Sequence, residues 1–205
     1  MSVLSSILMV NYEDRKVVGE TCNLVMAGHI SSMESITSLL YVLALSKYKP
    51  MSRSSSSSQA SKGASFSPDT QFMQKCSSLI QNEPVIKGVL APKILWSLYA
   101  MDYGREDQGL LNKLFDTMEK NWKSYGEKDV VTAFRAMAHF DMVSYQLKDN
   151  LLKTAISQGS IHWSFDSLTE ICHCLAQLGQ ENSTFLDIVC KRINEFVLYS
   201  DKIDE

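Results

Sequence analysis

The sequence predicts an all-α protein: an α-solenoid of about four two-helix repeats of about 38 residues with a disordered Ser-rich insertion. Apolar residues recur at helical spacing along most of the chain, and three segments align with one another at a constant step of 38 in the numbering. Stretches with the alternation of a β-strand are missing. A two-helix unit of this length buries its apolar face by stacking on its neighbours, as in other helical-repeat proteins.

A column of alanines marks the repeat. Ala100, Ala138 and Ala176 follow one another at this constant step, each among apolar residues, and Ala44 stands in an upstream copy. Small residues allow helices to approach closely. We therefore expect neighbouring hairpins to bury this column against one another.

The upstream copy is separated from the others by an insertion. The step from Ala44 to Ala100 is 56 rather than 38, an excess of 18, and residues 51–68 form a serine-rich stretch that accounts for it. Such a segment buries too little apolar surface to offset the entropy of ordering it. We predict a disordered loop there.

The second helix of each repeat shows its own apolar periodicity, and these helices are predicted at Gln71–Ile80, Leu110–Tyr125, Leu147–Ser157 and Thr184–Tyr199. The chain is then a single solenoid domain over 1–205. Its predicted parts are N-terminal capping helices at 1–35, repeat 1 at 36–80 with the insertion, repeat 2 at 84–126, repeat 3 at 127–160 and repeat 4 at 164–200. We predict that glycines close the C-terminal ends of helices, and that Ser167 and Glu170 form a capping box at the start of a helix.

The charge and the cysteine content limit the classes of function that the chain can have. The net charge is −3, with +1 on residues 1–83 and −4 on residues 84–205, so neither half is the basic arm of a dedicated nucleic-acid binder. The five cysteines are scattered and odd in number, which is typical of free thiols in a reducing compartment. No apolar run is long enough to span a membrane, and no targeting peptide is visible at the N-terminus.

Catalytic and metal-binding patterns are scarce. Cys172, His173 and Cys174 are adjacent, but neighbouring residues of a helix point about 100° apart and cannot converge on one ion. The histidines lack the spacing of zinc motifs, and the glycines are single and do not form a phosphate loop. We therefore predict no catalytic residues, no metal site, no cofactor, no small-molecule substrate and no enzymatic activity.

The candidate site is a polar face of the first helices. Two polar columns remain after the apolar columns are assigned to packing, and they lie one helical turn apart on one face. Stacking would align them into a ladder that contacts RNA or a protein partner. Its predicted members are Lys93, Ser97, Arg135, His139, His173 and Gln177. The plainer alternative is that these side chains form an ordinary solvated face.

Two segments carry a resemblance to a known group. Residues 94–101, Ile-Leu-Trp-Ser-Leu-Tyr-Ala-Met, and 175–179, Leu-Ala-Gln-Leu-Gly, resemble the repeat helix of octotricopeptide and heptatricopeptide repeat proteins and of FAST-kinase/RAP-domain proteins. The resemblance covers roughly residues 36–198. It implies an organellar, mitochondrial or plastid location and binding to organellar RNA. The chain departs from the group because it has no RAP-like domain, no net positive charge and few repeats.

Two functional hypotheses follow. The first is a structural, helical-repeat component of an organellar ribonucleoprotein, such as a mitochondrial ribosome, that contacts RNA and neighbouring protein subunits through the polar face. The second is a protein–protein scaffold without nucleic-acid contact, which the acidic second half favours.

Overall fold

The structure is a computed structural model that describes residues 15–47, 70–159 and 162–200. Those residues are helical or lie in turns, and they contain no strand, which confirms the all-α prediction. The α-helices are α1 (Arg15–Met26), α2 (Met33–Lys47), α3 (Thr70–Asn82), α4 (Ala91–Ala100), α5 (Gln108–Asn121), α6 (Glu127–Phe140), α7 (Tyr145–Gly159), α8 (Phe165–Gln177) and α9 (Ser183–Ser200). Short 3₁₀ turns at Gly88–Leu90 and Trp122–Ser124 lie before α4 and after α5.

The predicted second helices coincide with α3, α5, α7 and α9 to within a few residues at each end. The Ser-rich insertion at 51–68 and the first capping helix, predicted around Val3–Val10, lie outside the described residues. The second capping helix, predicted around Val17–Met26, corresponds to α1.

Polar side chains cap most helix starts. The residue before the helix accepts a hydrogen bond from a backbone N–H of the first turn, a bond of 2.9–3.3 Å that satisfies one of the otherwise unpaired donors there. These residues are Ser32, Asp107, Ser144, Ser164 and Asn182. The prediction of a Ser167/Glu170 capping box was wrong, because Ser164 caps the start of α8 and accepts its hydrogen bond from the Ser167 N–H.

The ends of α6 and α8 share a left-handed closing turn. Gly179 has φ +62° after α8, and Asp141, one repeat step earlier, has φ +52° after α6. In the next residue of each turn, the Met142 N–H donates to the Met137 carbonyl and the Gln180 N–H donates to the Leu175 carbonyl. The donors and the acceptors of these two hydrogen bonds are each 38 residues apart in the sequence. Gly126, which we predict to close the Leu110–Tyr125 helix, instead precedes α6 with φ −92°.

The described chain divides into two compact units. Unit 1 takes the described part of Met1–Ile86 together with Trp96–Leu111, and unit 2 takes Lys87–Leu95 with the described part of Asn112–Glu205. The predicted repeat 2, 84–126, contributes to both. The repeat boundaries themselves remain a prediction.

Unit 1 packs α1, α2 and α3 against one another. The ring of Tyr41 on α2 lies 4.9 Å from that of Trp96 on α4. A polar contact joins α3 to the start of α5: the Ser77 hydroxyl donates to Asp107, and Gln81 Nε2 donates to Asp107 Oδ1 at 2.7 Å. The carboxylate that caps α5 therefore also ties that helix to α3.

Unit 2 is built on neighbouring pairs of helices. The most extensive pairing is α6 with α8, while α7 packs against α6 and α9, and α9 against α8. Phe134 on α6 and Phe185 on α9 are completely buried among these helices. Burial of this apolar surface is the main stabilising contribution to the unit.

The column of four alanines is not uniformly buried between helices. Ala44 is buried, Ala100 and Ala138 are half-buried, and Ala176 is exposed, so the prediction that all four pack between hairpins was wrong. Residues two positions apart in an α-helix are separated by about 200° around its axis, so the residue two positions before each alanine faces nearly the opposite way. In α4, α6 and α8 that position is the buried one, and it holds Leu98, Ala136 and Cys174.

Phe134→Ala should lower the free energy of unfolding by about 3–5 kcal/mol, because the substitution removes a fully buried ring and leaves a cavity between packed helices. The matched control is Phe165→Ala on α8, whose side chain is 39% exposed and should give a much smaller loss. Urea unfolding followed by circular dichroism measures both. Equal losses would contradict this account of the core.

Candidate interaction surface

The six predicted surface residues differ in exposure. Lys93 is exposed on α4, whereas Ser97 on the same helix is completely buried, so Ser97 cannot belong to an accessible face. The reason is that α4 is short and apolar on most sides, with Ile94, Leu95 and Leu98 also buried. The prediction of Ser97 on the accessible face, which rested on its polarity alone, was therefore wrong.

The remaining four predicted residues lie on α6 and α8. Arg135 and His139 are half-buried on α6, and His173 and Gln177 are exposed on α8. We call these four residues the α6/α8 strip. Since α6 packs against α8, the structure brings the two helices together, with the exposed part of the strip on α8.

Arg135 takes part in an ion pair within unit 2. Its Nε donates to Glu170 Oε1 on α8 at 2.8 Å, and the two side chains are 38% and 32% exposed. The Arg135 hydrogen bond is the main cause that lowers the pKa of the Glu170 carboxyl. The positive charge of Arg135 is thus matched by a carboxylate on the neighbouring helix.

A second contact joins the beginnings of the same two helices. Glu127 Oε1 accepts hydrogen bonds from the backbone N–H and the hydroxyl of Ser164, at 2.9 and 2.6 Å. The Ser164 and Ser167 hydroxyls lower the pKa of the Glu127 carboxyl. Glu127 is the first residue of α6 and Ser164 precedes α8, so the two helices lie side by side in the same direction.

Glu127, Ser164 and Glu170 were not predicted as part of this surface. Ser164 could have been found as the polar residue before an apolar helix start. The pairing of Glu170 with Arg135 was not predicted, because Glu170 lies one turn after Ser167 and this spacing is also that of a capping box. Only the packing of α8 on α6 places its carboxylate next to Arg135.

The Cys172-His173-Cys174 triplet is a packing element. Cys174 is buried and Cys172 is half-buried, while His173 points to solvent. Burial raises the pKa of the Cys174 thiol to about 11, so at neutral pH it is protonated and a poor nucleophile or metal ligand. Across 15–47, 70–159 and 162–200, no group of three or more His, Cys, Asp or Glu side chains is arranged to hold a metal ion.

Comparisons with known proteins do not assign a family. No protein-family model matches the chain, and no curated protein matches it. Within the described ranges, none of the helices combines the length and apolar character that crossing a bilayer requires.

Glu127→Gln should flatten the pH dependence of stability. Because the folded-state pKa of this carboxyl is lowered from about 4.5, the ionised group stabilises the folded state above that value, and the stabilisation is lost as the pH falls through the folded pKa. Wild-type protein should therefore lose stability on acidification below about pH 5 more steeply than the variant.

Urea unfolding at a series of pH values measures this difference. Ser164→Ala, which removes one donor to Glu127, should lie between wild type and Glu127→Gln in its pH slope. The same slope in wild type and Glu127→Gln would show that this contact does not stabilise the pair of helices.

Proposed function

We propose that this chain is a non-catalytic, structural helical-repeat subunit of a larger assembly, which binds neighbouring protein subunits through the exposed part of the α6/α8 strip. The observation that carries the proposal is the parallel pairing of α6 and α8, which leaves His173 and Gln177 exposed beside it.

Contacts that recur near the repeat length support a stacked arrangement. Glu127 bonds Ser164 across 37 residues, and Arg135 bonds Glu170 across 35. The Tyr125 hydroxyl donates to the Gly88 carbonyl at 3.0 Å, again across 37 residues. Equivalent positions of successive repeats meet in this way when the repeats stack as a solenoid.

The distribution of charge favours a protein partner over a nucleic acid. Arg135 faces Glu170, and the whole chain carries a net charge of −3. Nucleic-acid binding depends on unmatched Lys and Arg that displace counterions from phosphates. A strip of imidazole and amide groups at His173 and Gln177 offers hydrogen bonds of the kind found at polar rims of protein interfaces.

RNA contact within a ribonucleoprotein is the second candidate. Lys93, His173 and Gln177 are exposed and can donate hydrogen bonds to RNA. The repeat-helix resemblance points in the same direction, to an organellar assembly such as a mitochondrial ribosome. In such a particle neighbouring subunits would supply the positive charge that this chain lacks.

A photo-crosslinking residue at Gln177 distinguishes the two candidates. In its native cells, the chain should form crosslinks to protein from this position, and these should survive nuclease treatment. The matched control is the same label at Lys153, which is exposed on α7 outside the strip and should give far fewer crosslinks.

The protein-scaffold proposal is wrong if Gln177 crosslinks only to RNA, and that result would establish the second candidate. Equal crosslinking from Gln177 and Lys153 would remove the strip as the binding surface in either case.

A further inference from the structure

Three apolar side chains lie exposed along one side of α9. Leu186 is 42% exposed and Ile193 38%, and Cys190 between them is an exposed free thiol. Steps of four and three along the helix place them in one stripe. A neighbouring side of α9 buries Phe185 and Val189 in the unit 2 core.

The corresponding positions are covered one repeat earlier. Helices α7 and α9 begin one repeat step apart, at Tyr145 and Ser183. At that step Cys190 corresponds to Leu152 and Ile193 to Ala155, which are 3% and 0% exposed, and Leu186 corresponds to Lys148, whose side chain is 11% exposed. Among the described helices, α7 packs against α6 and α9, and α9 packs against α7 and α8, while Leu186, Cys190 and Ile193 are exposed. The α9 stripe thus exposes positions whose counterparts in α7 are largely buried.

We propose that a second copy of this chain covers the stripe, with the two α9 helices packed antiparallel. A two-fold axis close to Cys190 sets Leu186 of each copy opposite Ile193 of the other and brings the two Cys190 thiols together. Such an interface uses the same patch on both copies, so the patch must be self-complementary. The stripe meets this condition, since a large apolar residue stands at each end and a small one in the middle.

The polar flank of the stripe is complementary in the same arrangement. Asp187, Lys191 and Asn194 are exposed on α9. Antiparallel pairing brings Asp187 of one copy to the level of Lys191 and Asn194 of the other, whereas parallel pairing would set Asp187 against Asp187. This match favours a second copy over an unrelated helix. The inference does not rest on the proposed function, because the dimer forms with or without further partners.

Sedimentation equilibrium of the full chain, from about 1 to about 100 µM, tests the dimer. The expected mass is twice the 23.1 kDa of one chain at the upper concentrations. Leu186→Asp and Ile193→Asp should each raise the dissociation constant at least about 10-fold, because they place a carboxylate within the apolar contact.

Val89→Asp is the matched control, because Val89 is an apolar side chain 62% exposed in unit 2 outside α9, and its dimer should be unchanged. Circular dichroism of all variants checks that they fold. Lys191→Asp should weaken the dimer, and the double variant Asp187→Lys/Lys191→Asp should restore it.

A short bis-maleimide reagent should link two wild-type copies through Cys190, and Cys190→Ser should abolish the linked dimer while Cys172→Ser retains it. A monomer at about 100 µM overturns the proposal, as does a dimer that neither Leu186→Asp nor Ile193→Asp weakens. Linked dimers that persist in Cys190→Ser would also overturn it.

Discussion

The side-by-side packing of α6 and α8 in the same direction is the constraint on which unit 2 depends. Helix α6 packs against both α7 and α8, and its Phe134 side chain is completely buried. The two polar contacts, Glu127 with Ser164 and Arg135 with Glu170, fix the register of this pair. The partly exposed Arg135–Glu170 ion pair contributes little energy by itself. Its value here is that it selects one alignment of otherwise similar apolar faces.

The helices could be read from the sequence because their apolar periodicity is strong and their starts carry Ser, Asp or Asn. The repeat step also recurs in the structure, at the closing turns of Asp141 and Gly179. The direction in which each helix faces was harder to predict. Alignment of Ala100, Ala138 and Ala176 predicts equivalent positions, but equivalence does not say which of several apolar columns points inward.

The surface was predicted less well than the fold, for a physical reason. Whether a polar residue is accessible depends on the helices packed around it, and α4 buries Ser97 because it is apolar on most sides. Likewise, the sequence assigns Arg135 a positive charge but not its partner, since Glu170 lies far along the chain and reaches it only after packing. These two outcomes shift the balance of the functional proposal from RNA toward protein partners.

The parallel pairing of α6 and α8 can be tested by a distance measurement between two exposed positions that are one repeat step apart. Spin labels at Lys128 on α6 and Asp166 on α8, in a cysteine-free background, report their separation by pulsed electron resonance. Neighbouring parallel helices have axes about 8–10 Å apart, so a single narrow distribution near that spacing plus the label arms is predicted. A separation beyond about three helix diameters, roughly 30 Å, would contradict the account.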